Sequence, residues 1–202
     1  MNHSISYLAL GDSYTIGESV PLHESFPYLT TQLIRKQKIA IHAPEIIAKT
    51  GWTSSELAEQ LLKTELNTHY DFISLLIGVN NQYRHLSLHD FRSDFEYLLK
   101  KSIHLSNGKP QNVIILSIPD WGCTPFATEK NPGSIAVEID SFNHVCAQFA
   151  KDYHTQFIDI TTATRALKDH PSALAADQLH YSGETHLLWA NKVANKIMEL
   201  SK

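Results

Sequence analysis

With 17 lysines and arginines against 21 aspartates and glutamates, the 202-residue chain has a formal charge of −4 and an isoelectric point near 6.3. That balance supplies no field to gather nucleic acid or an anionic membrane surface, so neither nucleic acid nor stable membrane association is expected. The length suffices for one domain with a real core, and no Pro/Gly/Ser-rich linker or charge run marks a second, so residues 1–202 read as a single domain.

Cys123 and Cys146 are too few for a disulfide framework and lack metal-site spacing; both read as buried free thiols. No basic stretch precedes the first apolar run, which is too short for a signal peptide or a membrane span, and the chain reads as cytoplasmic.

In chain order, Ile5 to Leu10 is a short apolar run that Gly11 stops, a strand leading into Asp12, Ser13 and Tyr14. Pro27, the stripe Leu29, Leu33 and Ile34, and the basic Arg35 to Lys38 predict a helix. Ile39 to Ala48 is β-rich around Pro44, which suits an edge strand because proline cannot donate to a ladder. Thr53 and Glu56 stand at capping-box spacing, with Leu57, Leu61 and Leu62 as the apolar face behind them and Gly51 just ahead.

Phe72 to Ile77 is apolar at nearly every position, as a parallel strand covered on both faces requires, and ends in Gly78-Val79-Asn80-Asn81. Ser87 caps a helix carrying Leu88, Phe91, Phe95, Leu98, Leu99 and Ile103 at spacings of three and four, closed by Asn107 to Pro110. Val113 to Ile118 is a fourth strand, followed by the loop Pro119 to Phe126. Ile135, Ile139, Phe142, Cys146 and Phe149 mark a further helix, Thr155 to Ile160 a fifth strand, and Leu187, Ala190, Ala194, Ile197 and Met198 the last helix. Strands alternating with helices of this length predict an α/β fold, a parallel sheet with right-handed crossovers and helices on both faces.

A serine aimed at the carboxyl edge of such a sheet stands where open α/β folds bind ligands, although Gly-Asp-Ser is also common turn chemistry. Its hydroxyl is a weak nucleophile until a base takes its proton, and that base needs an orienting partner. Asp177 and His180, three residues apart, supply such a pair; the alternative is a polar turn capping the final helix, one of many settings for the 12 histidines here. The N–H groups of Ser13 and Gly51 and the amide of Asn80 are candidate donors for a developing oxyanion. Taken alone, Gly51 reads equally as a flexible turn and Asn80 as a cap of its own loop.

The four stretches Gly11-Asp12-Ser13-Tyr14, Gly51 ahead of a helix, Gly78-Val79-Asn80-Asn81 and Asp177-Gln178-Leu179-His180 resemble, in order and position, the four blocks of the SGNH hydrolases, or GDSL esterase/lipase superfamily. The resemblance spans nearly the whole chain. It implies a three-layer, flavodoxin-like fold with five parallel strands in the order 2-1-3-4-5, bringing the ends of strands one and three together at the topological switch point. It further implies Ser13 as nucleophile, His180 as general base, Asp177 as its orienting carboxylate, Ser13, Gly51 and Asn80 as the oxyanion hole, and no metal or organic cofactor. Tyr14 stands where the family's name has leucine, and Asn81 where many members have aspartate.

Around these positions Trp52, Tyr83, Trp121 and Tyr181 are candidate contacts for a small-molecule ester, with the 119–126 loop, the 16–21 loop and Arg84 as further candidates. The absence of a lid-length insertion favours short-chain esters over bulk lipid. An acyltransferase would use the same residues, a flavodoxin-like binding module would leave Asp177 and His180 without a task, and a metal hydrolase lacks any His-Glu-x-x-His arrangement.

Overall fold

A computed structural model describes residues 4–170 and 172–201. Its frame is a five-stranded parallel sheet: β1 (Tyr7–Gly11), β2 (Glu45–Ala48), β3 (Phe72–Leu76), β4 (Val113–Leu116) and β5 (Gln156–Ile158). The strands stand in the order β2-β1-β3-β4-β5, as the resemblance implied. Register pairs Gly11 with Ala48 on one side and with Leu76 on the other, so three chain ends leave the sheet side by side at its carboxyl edge.

The crossovers are helical: α1 (Ser13–Ile16), α2 (Phe26–Lys36), α3 (Ser54–Lys63), α4 (Val79–Tyr83), α5 (Leu88–Leu105), α6 (Pro132–Asp152), α7 (Thr161–Ala166) and α8 (Gly183–Leu200). Helices α2 and α8 pack together as one layer, and α3, α5 and α6 pack side by side as the other. Every residue of β1, β3 and β4 is buried, which explains their unbroken apolar runs, because helices cover both of their faces. The core continues into α5 and α6, where the Phe91 ring lies 4.7 Å from Phe142 and 5.3 Å from Phe95.

Element ends follow local chemistry. Helix α3 opens with the expected capping box: Thr53 accepts from the Glu56 N–H, and Glu56 accepts from the Thr53 N–H at 2.8 Å. Pro44 restricts the second strand to the four residues beyond it, and Ile41 contributes only an isolated bridge to Ile5.

Several expectations are corrected. Leu88, in the first turn of α5, is exposed, and the buried stripe begins at Phe91. Leu62 is 74% exposed, because its neighbour Leu61 takes the core-facing position and successive helical residues point about 100° apart. Leu187 is likewise exposed, since the buried stripe of α8 runs through His186, Trp189, Val193 and Ile197. Cys146 is buried, but Cys123 is only half-buried in a short 3-10 turn, Trp121–Cys123. Among the described residues no helix is long and apolar enough to cross a membrane.

Candidate active site

The ends of β1, β2 and β3 and the turn before α8 converge on one cavity of about 190 Å³. It is lined by Ser13, Gly51, Asn80 and His180, with Tyr14, Thr50, Val79, Tyr83, Trp121, Phe126 and Leu179 as its walls. A larger hollow, about 880 Å³, lies at the opposite, amino-terminal edge of the sheet against Ile5, Phe72 and Asn112 and holds none of the motif residues. The smaller cavity is therefore the candidate site.

Ser13 is the first residue of α1, a single turn begun by Asp12 and ended by Gly17 in the left-handed conformation. Asp12 Oδ1 accepts from the Tyr14 N–H at 3.0 Å, which bends the chain sharply out of β1 and turns Ser13 toward the cavity. The Ser13 hydroxyl lines the cavity and donates to no described residue. Asp12 is buried and its Oδ2 has no described partner. Burial pushes its carboxyl up to about 7, against the lowering effect of the Tyr14 and Gly78 N–H groups.

Asp177 and His180 sit in a loop closed by the Leu174–Tyr181 bridge and by the Ala175 N–H donating to the His180 carbonyl at 2.8 Å. Asp177 Oδ1 accepts the N–H groups of Leu179 and His180 at 3.0 and 2.9 Å, and Oδ2 lies 2.7 Å from His180 Nδ1. The Ser19 hydroxyl donates to the same Oδ2 at 2.5 Å. Partial burial raises the Asp177 carboxyl, but the hydrogen bonds from Ser19, His180 and the two N–H groups outweigh it and hold the group well below the usual carboxylate range. Ser182, not this pair, caps α8, so the helix-capping alternative does not describe the loop.

The imidazole packs edge-on against Tyr14, ring centres 5.9 Å apart. Behind it His186 is buried, accepts from the Phe26 N–H at 3.2 Å, and is pushed down to about 3 first by burial and then by the charge of His180. That second imidazole is therefore uncharged at neutral pH.

Gly51 is the third residue of the turn from Lys49 to Trp52, and its φ of 86° is one that glycine adopts without strain. Its N–H donates to no described residue, while its carbonyl accepts from Arg84 Nη2 at 2.5 Å. Asn80 donates one amide hydrogen to the Trp52 carbonyl at 2.9 Å, which fixes the side chain at the cavity wall and leaves the second hydrogen unused. Gly78, with φ of 129°, makes this close approach possible: a Cβ there would meet Ile118 at 2.7 Å and Phe91 at 2.8 Å. Asn81 is buried and clamps the start of α3, accepting from the Ser54 N–H at 2.9 Å and donating to its hydroxyl at 2.7 Å.

Among the candidate substrate contacts, Tyr83 and Trp121 line the cavity, and Phe126 from the 119–126 loop joins them. Trp52 does not; it contributes its carbonyl to Asn80. Tyr181 is buried beneath the site, its hydroxyl donating to the Asp120 carbonyl at 3.3 Å and its ring 5.3 Å from Trp189. Arg84 braces Gly51 and Glu56 rather than reaching the cavity. From the 16–21 loop, Ser19 reaches the site through Asp177, a partner 158 residues away that the sequence did not signal. Among the described residues no cluster of three or more His, Cys, Asp or Glu could hold a metal ion. The arrangement offers a hydroxyl, an oriented imidazole and three unused donors around one small apolar space, which is equipment for acyl transfer.

Comparison with known proteins points the same way. The chain is 23% identical over 201 residues to an acetylxylan esterase of Geobacillus stearothermophilus, covering 95% of this chain and 84% of that protein. The crystal structure of Axe2, an acetylxylan esterase from Geobacillus stearothermophilus, superposes with a TM-score of 0.76 at 19% identity over 98% of this chain and 96% of that one. A lipase/acylhydrolase from Enterococcus faecalis gives 0.76 at 20% identity over 96% and 95%. The sequence pattern of the GDSL-like lipase/acylhydrolase family matches residues 9–188. The chain belongs to that family, the SGNH hydrolases, and is a carboxylic ester hydrolase.

Proposed function

We propose that the protein is a serine esterase that hydrolyses short-chain carboxylic esters through an acyl-enzyme on Ser13. One observation carries the reading: an imidazole already paired with a carboxylate, His180 with Asp177 at 2.7 Å, opens into the same cavity as Ser13, Gly51 and Asn80. Structures of Axe2 with alanine in place of a serine and of a histidine are described as catalytic mutants, in keeping with a Ser/His mechanism there.

In the forward half-reaction the Ser13 hydroxyl attacks the ester carbonyl carbon while His180 Nε2 takes its proton. The carbonyl oxygen becomes an oxyanion that receives the N–H groups of Ser13 and Gly51 and the second amide hydrogen of Asn80. Asp177 holds the imidazole by Nδ1 and stabilises the imidazolium that forms. The imidazolium then protonates the departing alcohol as the C–O bond breaks. Water repeats the sequence on the acyl-enzyme, releasing the acid and restoring the Ser13 hydroxyl.

The size of the cavity supports a short acyl group. Its ~190 Å³ is below the roughly 300–1,000 Å³ of pockets that hold drug-sized ligands, and Val79, Leu179 and Phe126 give it apolar walls. The test is a series of nitrophenyl esters from acetyl to decanoyl on wild type and Ser13→Ala. Expected are kcat/KM highest at two to four acyl carbons and turnover abolished in the variant; a rate rising steadily to long chains would contradict the assignment. The ratio of new ester to free acid formed with added alcohols distinguishes hydrolysis from acyl transfer.

A further inference from the structure

We propose that the aromatic wall between the cavity and the adjoining hollow, on the side where Lys130 stands, is an ammonium-binding subsite, so that the preferred ester carries its positive charge on the alcohol side. This rests on the esterase reading of the neighbouring cavity. Tyr83, Trp121 and Phe126 form a three-ring cluster, with centroids 5.3, 6.5 and 6.1 Å apart, and all three line the space beside Ser13. The cluster is occupied: Lys130 Nζ stands 5.2 Å from the Tyr83 ring, 5.9 Å from Trp121 and 5.2 Å from Phe126. Three aromatic faces turned on one cation are the arrangement that recognises alkylated ammonium groups.

A second observation points to the same ligand. A hollow of about 370 Å³ adjoins the cavity across the Tyr83–Trp121 wall and contains Lys130 and Glu138. Glu138 accepts from the Gln82 amide at 2.8 Å and the Ser134 hydroxyl at 3.0 Å, both neutral donors, and makes no ion pair among the described residues. Gln82 also accepts from the Trp121 indole N–H at 2.7 Å, so one side chain fixes both the carboxylate and a cage wall. The hollow thus offers a cation the Tyr83 and Trp121 rings, with Phe126 beside Lys130, and a carboxylate without an ion-pair partner among the described residues.

Lys130 is exposed, and an exposed cation–π contact is weak, so its ammonium can swing aside. A quaternary ammonium is less strongly hydrated than the lysine head and loses less on entering the cage. Lys130 therefore acts as a resident competitor for the subsite.

The test is calorimetric titration of the protein with choline and, as the neutral isostere, 3,3-dimethyl-1-butanol. Kinetics of choline acetate and 3,3-dimethylbutyl acetate run in parallel. Expected in wild type is choline binding about tenfold tighter than the isostere. Lys130→Met should strengthen choline binding several-fold; Phe126→Leu and Glu138→Gln should each weaken it several-fold, with the preference in kcat/KM moving in step. A gain in Lys130→Met that persists undiminished in Lys130→Met/Phe126→Leu would mean simple charge repulsion and overturn the cage. Equal binding of choline and its isostere in wild type and Lys130→Met would overturn it outright. Choline binding without turnover of either ester would instead count against the esterase reading and leave the subsite standing.

Discussion

Ser19 donates its hydroxyl to Asp177 Oδ2 at 2.5 Å, on the same oxygen that faces His180 Nδ1 at 2.7 Å. The contact ties the loop just after α1 to the carboxylate paired with the His180 imidazole. Ser19 holds a left-handed backbone, φ 67°, a conformation rare for a residue with a side chain. Such a conformation persists only where the surroundings enforce it.

Ser19→Ala should lower kcat several-fold by loosening Asp177, with little change in KM. Asp177 is held below its unfolded pKa of about 4, so its contribution to stability is present above that pH and is lost as pH falls through the folded value. The variant should be about 1 kcal/mol less stable at pH 7, a hydrogen bond to a charged group discounted for solvent exposure. Urea unfolding at pH 7 and pH 4 should show that gap retained, because the folded carboxylate stays ionised across this range; no gap at pH 7 would contradict this role.

Asp12 has the opposite sign. Burial lifts its folded pKa to about 7, above an unfolded value near 4, so the stability linked to its proton is fully present below pH 4 and is lost as pH rises through 7. Asp12→Asn should therefore gain on the wild type as pH rises from 5 to 8, by on the order of a few kcal/mol at most. Melting temperatures of both proteins across that range check it, and a constant difference would show that Asp12 ionises normally.

Asn80→Ala removes an amide that is already aligned by the Trp52 carbonyl and aimed at the cavity. Loss of one oxyanion donor costs ~2.7–4 kcal/mol, so kcat should fall roughly 10²–10³-fold with KM little changed. Steady-state kinetics on a short-chain ester measures it; a rise in KM at constant kcat would make Asn80 a binding residue only.

Gly51→Ala separates space from conformation. A Cβ there meets only Arg84 Nη2, at 3.6 Å, so there is room, yet φ of 86° strains any side-chain-bearing residue. Stability should fall by about 1–2 kcal/mol, and activity should fall further as the turn relaxes and its N–H leaves the cavity. Unchanged stability and activity would show that the turn tolerates another backbone geometry.

The parts of the fold legible in the sequence were those with a local cause. Phe72 to Ile77 read as a central strand because burial on both faces leaves no polar alternation, and Thr53 with Glu56 announced α3 because a capping box lies within four residues. The positions of Ser13, Gly51 and Asn80 followed from strands ending together at one edge. Side-chain direction did not follow. Trp52 and Tyr181 adjoin motif residues in sequence but point into packing, and the neighbours Leu61 and Leu62 diverge to core and solvent. Contacts across long stretches of chain, such as Ser19 with Asp177 and Lys130 with Tyr83, leave no periodic or spacing signal at either end.

The most direct test of the central claim is intact-mass analysis after treatment with a fluorophosphonate, on wild type, Ser13→Ala and His180→Ala. An activated Ser13 predicts a single adduct on the wild type, localised to the peptide containing Ser13. It predicts none on Ser13→Ala, and labelling slowed by orders of magnitude on His180→Ala. A folded wild-type protein that takes up no label, or labelling that persists in Ser13→Ala, would contradict the assignment of Ser13 as nucleophile.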